Sequence, residues 1–377
     1  MKVCIVGLGA VGGVIAAGLA RLPPGRVQLS ALARGATLAA VREQGLQWLP
    51  ADGGAPQTFP LAVSDDAAAL GAQDLVVVAV KGPALAALAP ALQVLTGGLR
   101  GGMRGGMRGG MTAGMTGNMT GNTSGAESGH GRVLQAMNGL PWWFFDALPG
   151  PCTGLRLPVL DPGDVLRAAV PTARVIGAVV HLSATSPAPG VVRHVAGDGL
   201  ILGHAEGPPD DGVQDAAALL AEAGFAVSVS DRIQREIWFK LWGNMTLNPV
   251  SALTGATCDR ILDDDLVRAF VSGVMREAQA LGAAIGLPIE QTPEARHAIT
   301  RKLGAFKTSM LQDLQAGRAL EVDALIGAVH AVARHLGQAT PQTDALFGLV
   351  RLLAATRQAT RQGSLDATHQ APPQATD

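Results

Sequence analysis

The 377-residue sequence predicts an α/β N-terminal domain over residues 1–230, an all-α C-terminal domain over 231–361, and a disordered tail over 362–377. Three observations carry that expectation. Short apolar runs of strand length alternate with helical stretches in the first 230 residues, the pattern of a parallel sheet with crossover helices. A glycine-rich turn, Gly7-Leu8-Gly9-Ala10-Val11-Gly12, stands between the first apolar run and the first helical stretch. Beyond about Ser230 the spacing of apolar residues stays helical. With 48% hydrophobic residues the chain can build two cores.

Taken in order, the run Val3-Cys4-Ile5-Val6 leads into GLGAVG and then a helical pattern through Ala20. Strand, glycine turn and helix in that succession form a Rossmann-type dinucleotide site. The first glycine makes the turn, the second admits a pyrophosphate to the backbone, and the third lets helix pack on strand. Free N–H groups at the helix start suit phosphates. A second strand, 27–33, ends at Arg34-Gly35, where an NAD-binding chain usually places an acid for the ribose 2′-hydroxyl. A guanidinium there suits a 2′-phosphate, so NADPH or NADP is favoured. The β-branched run 74–80 reads as a buried parallel strand ending at Lys81, a candidate cofactor contact at the crevice edge.

A helix is expected over 84–95, followed by a flexible surface insertion over 97–131 in which Gly pairs interrupt methionines at every fourth position. Its Arg-Gly-Gly units are few and lack aromatics to stack bases, so no nucleic-acid partner is read from them. The strand 133–137 ends at Asn138-Gly139, again at the crevice edge, where Asn138 is either a site residue or a turn residue. Pro141-Trp-Trp-Phe-Phe145 concentrates aromatics in a chain with only 3% of them, and reads as core or as a subunit contact in a homodimer. Runs 175–183 and 191–202, joined through a Pro-Gly turn, predict a hairpin that extends the sheet. Helices are then expected near 263–285, 293–304, 309–316, 321–336 and 341–361.

Lys+Arg of 29 against Asp+Glu of 30 leaves a net charge of −1, which excludes nucleic-acid and anionic-membrane binding as the main activity. Three separated cysteines without a CxxC pair suggest neither a disulfide framework nor a zinc site, and the compartment reads as reducing cytoplasm. The apolar N-terminal stretch is broken by glycines and too short to span a membrane. A small-molecule substrate and no metal are expected.

The candidate chemistry lies in 231–253. At about 100° per residue Lys240, Asn244 and Asn248 share an arc of roughly 80° on a helix that is otherwise apolar all round. An ammonium and two carboxamides held out of water need partners, either a substrate or a structural carboxylate. Pro249 is expected to end the helix at Asn248. Reduction of a ketone needs a proton donor beside the carbonyl. The chain has no tyrosine, and Lys240 is the better candidate than the scattered histidines. Ser309 and Glu321 sit near helix starts, where capping alone could explain them.

These motifs together, GLGAVG, Ala33-Arg34-Gly35, Lys81-Gly82, Asn138-Gly139, IWFKLWGNMTLNPVSAL, KTSMLQD and GRALEVDALIG, resemble the ketopantoate reductases, or 2-dehydropantoate 2-reductases, of pantothenate synthesis. The resemblance runs from Met1 to about Arg361, apart from residues 97–131. It implies NADPH, a Rossmann domain followed by a helical domain, and a 2-oxo acid in the cleft between them. By motif position it also implies Lys240 as general acid, Glu321 assisting it, and Asn138, Asn244, Asn248 and Ser309 holding the substrate, with Asn138 also near the cofactor. Met137, Phe306 and the PWWFFDALPG segment depart from the family pattern and leave the identity of the 2-oxo acid open. Two alternatives stay open as well. One is a related β-hydroxyacid dehydrogenase, whose helix carries Lys-x-x-Asn where this one has Lys-x-x-x-Asn; the other is an NADP-binding regulatory protein without turnover.

Overall fold

The computed structural model describes residues 1–98 and 131–370. The fold is a Rossmann-like α/β unit followed by a helical region. Its centre is a parallel set of strands in the spatial order β5 (Ala62–Ser64), β2 (Gln28–Leu32), β1 (Lys2–Val6), β6 (Leu75–Val78), β7 (Arg132–Gln135) and β8 (Val175–Ala188). The chain leaves β1 for β2 on one side and reaches β6 on the other. The crevice outside the carboxyl ends of β1 and β6 is thus the point where strand order reverses, the usual ligand position in open α/β sheets.

The predicted hairpin is present: β8 pairs antiparallel with β9 (Val191–His204). β3 (Leu46–Leu49) and β10 (Ala226–Val229) add to β9 in parallel, and β4 (Gln57–Phe59) closes the edge against β3. Alternation along β1 explains the layering. Val3 and Ile5 join a core on one face with Ile15 and Leu19 of α1 (Ala10–Ala20) and Val213 and Leu219 of α6 (Asp211–Glu222). Cys4 and Val6 point into a second core on the other face.

That second core crosses from the sheet into the helical region. Trp142, Trp143, Phe144 and Phe145 are all buried in it, beside Trp238 and Trp242 of α7 (Ile233–Thr254). Phe144 stands edge-on to Phe145 at 4.9 Å and 6.3 Å from Trp238. The aromatic segment is therefore core that joins the two parts of the chain.

Several sequence expectations are corrected. Pro249 lies inside α7, which continues to Thr254 and is capped by Gly255 in the left-handed conformation. Proline removes one backbone donor, but residues 245–252 are buried on all sides, and that packing outweighs the local break. The stretch 84–95 is two single 3₁₀ turns ahead of the short α4 (Ala89–Leu95), α2 (Gly35–Gln44) and α3 (Ala67–Leu70) having preceded it. α5 (Val165–Ala169) falls in the connection to β8.

After α7 come α8 (Cys258–Asp263), α9 (Asp265–Ala284), α10 (Pro293–Arg301) and α11 (Ser309–Gln315). The helix expected over 321–336 opens as a π turn, Asp323–Gly327, before α12 (Ala328–His335). α13 (Pro341–Gln370) runs past residue 362, where the sequence predicts a disordered tail. Most of the insertion expected over 97–131 lies outside the described residues. No helix among the described residues is long and apolar enough to cross a membrane.

Candidate active site

The glycine turn is shaped by contacts that admit no side chain. Gly7 has φ +96°, and a Cβ there would stand 2.7 Å from Val80 Cγ1; one on Gly12 would stand 2.1 Å from the Gly7 carbonyl oxygen. Gly9, at the start of α1, faces open space with nothing within 4 Å of its would-be Cβ. Tight packing behind and an open backbone in front make a cradle that fits a pyrophosphate against Gly7, Leu8, Gly9, Ala10, Val11 and Gly12. Arg34 is exposed at the carboxyl end of β2 and begins α2, and its guanidinium has no partner among the described residues. That edge therefore presents a free, charged fork.

Lys81 follows β6, but its ammonium pairs with Asp313 of α11. Asp313 is buried and also accepts from Arg318 Nε at 2.8 Å. Asn138 follows β7 in a turn held by Gly139, φ +86°, whose would-be Cβ lies 2.6 Å from the Ala324 carbonyl oxygen; Leu140 N donates to the same oxygen at 2.8 Å. The Asn-Gly pair is thus a turn, as its composition suggests, and one pressed against the segment that carries Glu321.

On α7, Lys240, Asn244 and Asn248 occupy one stripe. The Lys240 ammonium donates to the Val180 carbonyl of β8 and pairs with no carboxylate among the described residues. Burial lowers its pKa from 10.5 to about 8, against the opposing attraction of Glu321. Asn244 is half-buried and its carboxamide has no partner among the described residues. Asn248 Nδ2 donates to Ser309 Oγ at 3.5 Å. The cap of α11 is Thr308, which accepts from Leu311 N at 3.2 Å, so Ser309 is not spent on capping.

Glu321 is buried just ahead of the π turn, and its Oε1 accepts from Gly82 N at 3.2 Å. Burial raises its carboxyl pKa, an effect that the Lys81 charge and the Gly82 hydrogen bond oppose. A pocket lined in part by Gly82, Met137, Asn138, Trp142, Glu321 and Ala324 reaches two of the predicted residues but not Lys240.

The fold accordingly gathers Lys81, Asn138 and Glu321 around one edge of the sheet, and Asn248 and Ser309 along α7. Arg34 stands apart at the end of β2. Sequence reasoning gave no role to Asp313, although a carboxylate within KTSMLQD, on a helix with an apolar face, was a visible signal. Nor did it single out Arg296 of α10 or His181 of β8, which had no local motif. Burial first, then the charges of Lys240 and Arg296, lower the His181 pKa.

The family model for "Ketopantoate reductase PanE/ApbA" matches residues 3–98, and its C-terminal counterpart matches 232–354. The chain is 38% identical over 361 residues to 2-dehydropantoate 2-reductase of Mesorhizobium japonicum, covering 95% of this chain and 99% of that one. It is 48% identical to a Ralstonia solanacearum crystal structure assigned to ketopantoate reductase, with a TM-score of 0.80 over 94% of this chain and 98% of the other. A PanE/ApbA family ketopantoate reductase from Ralstonia eutropha superposes with a TM-score of 0.72 at 25% identity, over 95% and 100% of the two chains. The glycine cradle, the buried lysine helix and the two matched segments make this chain a member of the ketopantoate reductase family.

Proposed function

We propose that the chain reduces a 2-oxo acid with NADPH, 2-dehydropantoate to pantoate above others, as a step of pantothenate synthesis in the cytoplasm. The observation that carries this reading is Lys240, an ammonium held half-buried without a counter-ion on the same helical stripe as two carboxamides. Residues 1–230 form the nucleotide domain and 231–361 the substrate domain in this reading, with a homodimer as the assembly.

NADPH, held by the Gly7–Gly12 cradle with its 2′-phosphate at Arg34, supplies a hydride when bound. The remaining work belongs to side chains. Negative charge grows on the keto oxygen as the carbonyl is reduced, and Lys240 both stabilises that charge and delivers the proton. A pKa of about 8 keeps it protonated at neutral pH while easing proton release. Asn244, Asn248 and Ser309 orient the substrate through hydrogen bonds along the stripe. Asn138 bridges substrate and cofactor, Lys81 borders the cofactor side, and Glu321 tunes Lys240 through its charge. Following NADPH absorbance across a panel of 2-oxo acids tests the reading: 2-dehydropantoate should give the highest kcat/KM. Nucleotide binding without turnover on any member of the panel would overturn it in favour of a regulatory protein.

A further inference from the structure

Arg296 is a cation without an anion among the described residues. It sits on α10, and its guanidinium lies over the Phe239 ring at 5.5 Å. It also presses on α7 at Gly243, where an added Cβ would come within 3.1 Å of Arg296 Nη2. A methyl group there would displace the guanidinium by a few tenths of an ångström. Burial lowers the Arg296 pKa, and no carboxylate or carbonyl among the described residues receives its N–H groups. Its neighbours on α10 are all engaged: Glu294 with Arg276 at 2.7 Å, His297 with Ser272 at 2.9 Å, and Arg301 with Asp263. A partly desolvated guanidinium is costly unless an anion meets it.

Helical geometry says where that anion would lie. Gly243 stands about 60° around α7 from Lys240, on the side opposite Asn248. Ser309 of α11 meets Asn248 on the other side. Lys240 and Asn244 therefore lie between a guanidinium on one flank and a hydroxyl on the other, and the Asn244 carboxamide has no partner among the described residues. Lys240 reaches the Val180 carbonyl, next to His181 in the chain, and the charges of both Lys240 and Arg296 act on the His181 imidazole.

We infer that Arg296 anchors the carboxylate of the 2-oxo acid. The guanidinium takes both carboxylate oxygens as a fork, and the adjacent keto oxygen is turned toward Lys240. The inference rests on the function proposed above and adds the group that selects for an acid over a neutral ketone. Steady-state kinetics and direct calorimetric binding on the wild type, Arg296→Gln and Arg296→Lys test it, with 2-dehydropantoate and its carboxamide as paired ligands.

Arg296→Gln should raise KM and Kd for the acid by roughly 10- to 100-fold, as expected for charge-assisted hydrogen bonds. The carboxamide and NADPH should bind as before, and Arg296→Lys should recover part of the acid preference. Equal weakening toward acid and carboxamide, or a fall in Tm with unchanged acid preference, would overturn the assignment and leave Arg296 as packing on Phe239. A wild type that binds the acid with this preference but does not turn it over would overturn the proposed function while upholding the anchor. A wild type that does not bind the acid overturns both.

Discussion

Replacing Lys240 with methionine should stabilise the protein and nearly abolish its activity. Burial brings the ammonium from its ordinary 10.5 to about 8, even with Glu321 pulling the other way. At 1.36 kcal/mol per pKa unit, the folded chain holds the charged form at a cost of about 3 kcal/mol. Methionine keeps much of the stem and removes the charge, but leaves the Val180 carbonyl without its donor, a loss of about 1–2 kcal/mol. The net is a gain of about 1–2 kcal/mol at pH 7, or about 2–6 °C in Tm. Over the same substitution kcat should fall roughly 10²- to 10⁴-fold, the share general-acid catalysis commonly supplies.

The pH dependence has a definite sign. Between about 8 and 10.5 the unfolded chain keeps the proton on this lysine and the folded chain releases it. Stability of the wild type should therefore gain from this group as pH rises through that window, and Lys240→Met should lack the gain. Turnover in the reductive direction needs the protonated form and should decline above pH of about 8. Thermal melts at pH 7 and 9.5, with kinetics at pH 7, read all of this. A variant destabilised by about 3–5 kcal/mol would instead mark Lys240 as the partner of a buried carboxylate, and full activity would remove it from the mechanism.

Other substitutions probe the nucleotide half. Arg34→Ala should weaken NADPH binding by about 1.5–3 kcal/mol and leave NADH nearly unchanged, since only the former presents a 2′-phosphate to the fork; equal loss for both would remove Arg34 from recognition. Gly12→Ala forces a methyl group to within 2.1 Å of the Gly7 carbonyl oxygen, so nucleotide titration should show a loss of at least about tenfold in affinity as the turn is displaced. Gly131 N donates to the Thr96 carbonyl at 3.2 Å, which brings the ends of the inserted stretch together. Replacing residues 99–130 with a short Gly-Ser turn should thus shift Tm and kcat little, because loop closure changes by only about 0.6 kcal/mol per doubling of length; a collapse of either would refute that.

How much of this was legible beforehand depended on whether the signal was local. The glycine turn, the buried strand ahead of Lys81 and the hairpin after residue 175 are written in neighbouring residues, and the structure contains each of them, although that strand, Leu75–Val78, stops short of the expected 74–80. The helix expected from 293 likewise begins there, with the Thr292 hydroxyl accepting from Ala295 N at 3.2 Å. Pro249 misled because proline's cost is local, whereas the packing that holds α7 together comes from segments far along the chain. The partners of Asp313 and Glu321 were illegible for the same reason: Lys81 and Gly82 lie more than two hundred residues earlier.

Those two long-range contacts also indicate how the halves of the chain cooperate. Asp313 holds Lys81 from α11, while Glu321 receives the very next backbone N–H, that of Gly82. One short turn after β6 is therefore gripped at adjacent residues by two carboxylates of the helical region, and the Asn138-Gly139 turn after β7 is pressed onto Ala324 three residues beyond Glu321. The sheet edge that faces the cofactor cannot shift without disturbing Glu321, and Glu321 acts on the charge of Lys240. Lys240, the proposed proton donor, is in this way tied electrostatically to the rim of the sheet crevice, although no direct ion pair joins them among the described residues. The same geometry accounts for glycine at 139, where a side chain would strike the Ala324 backbone.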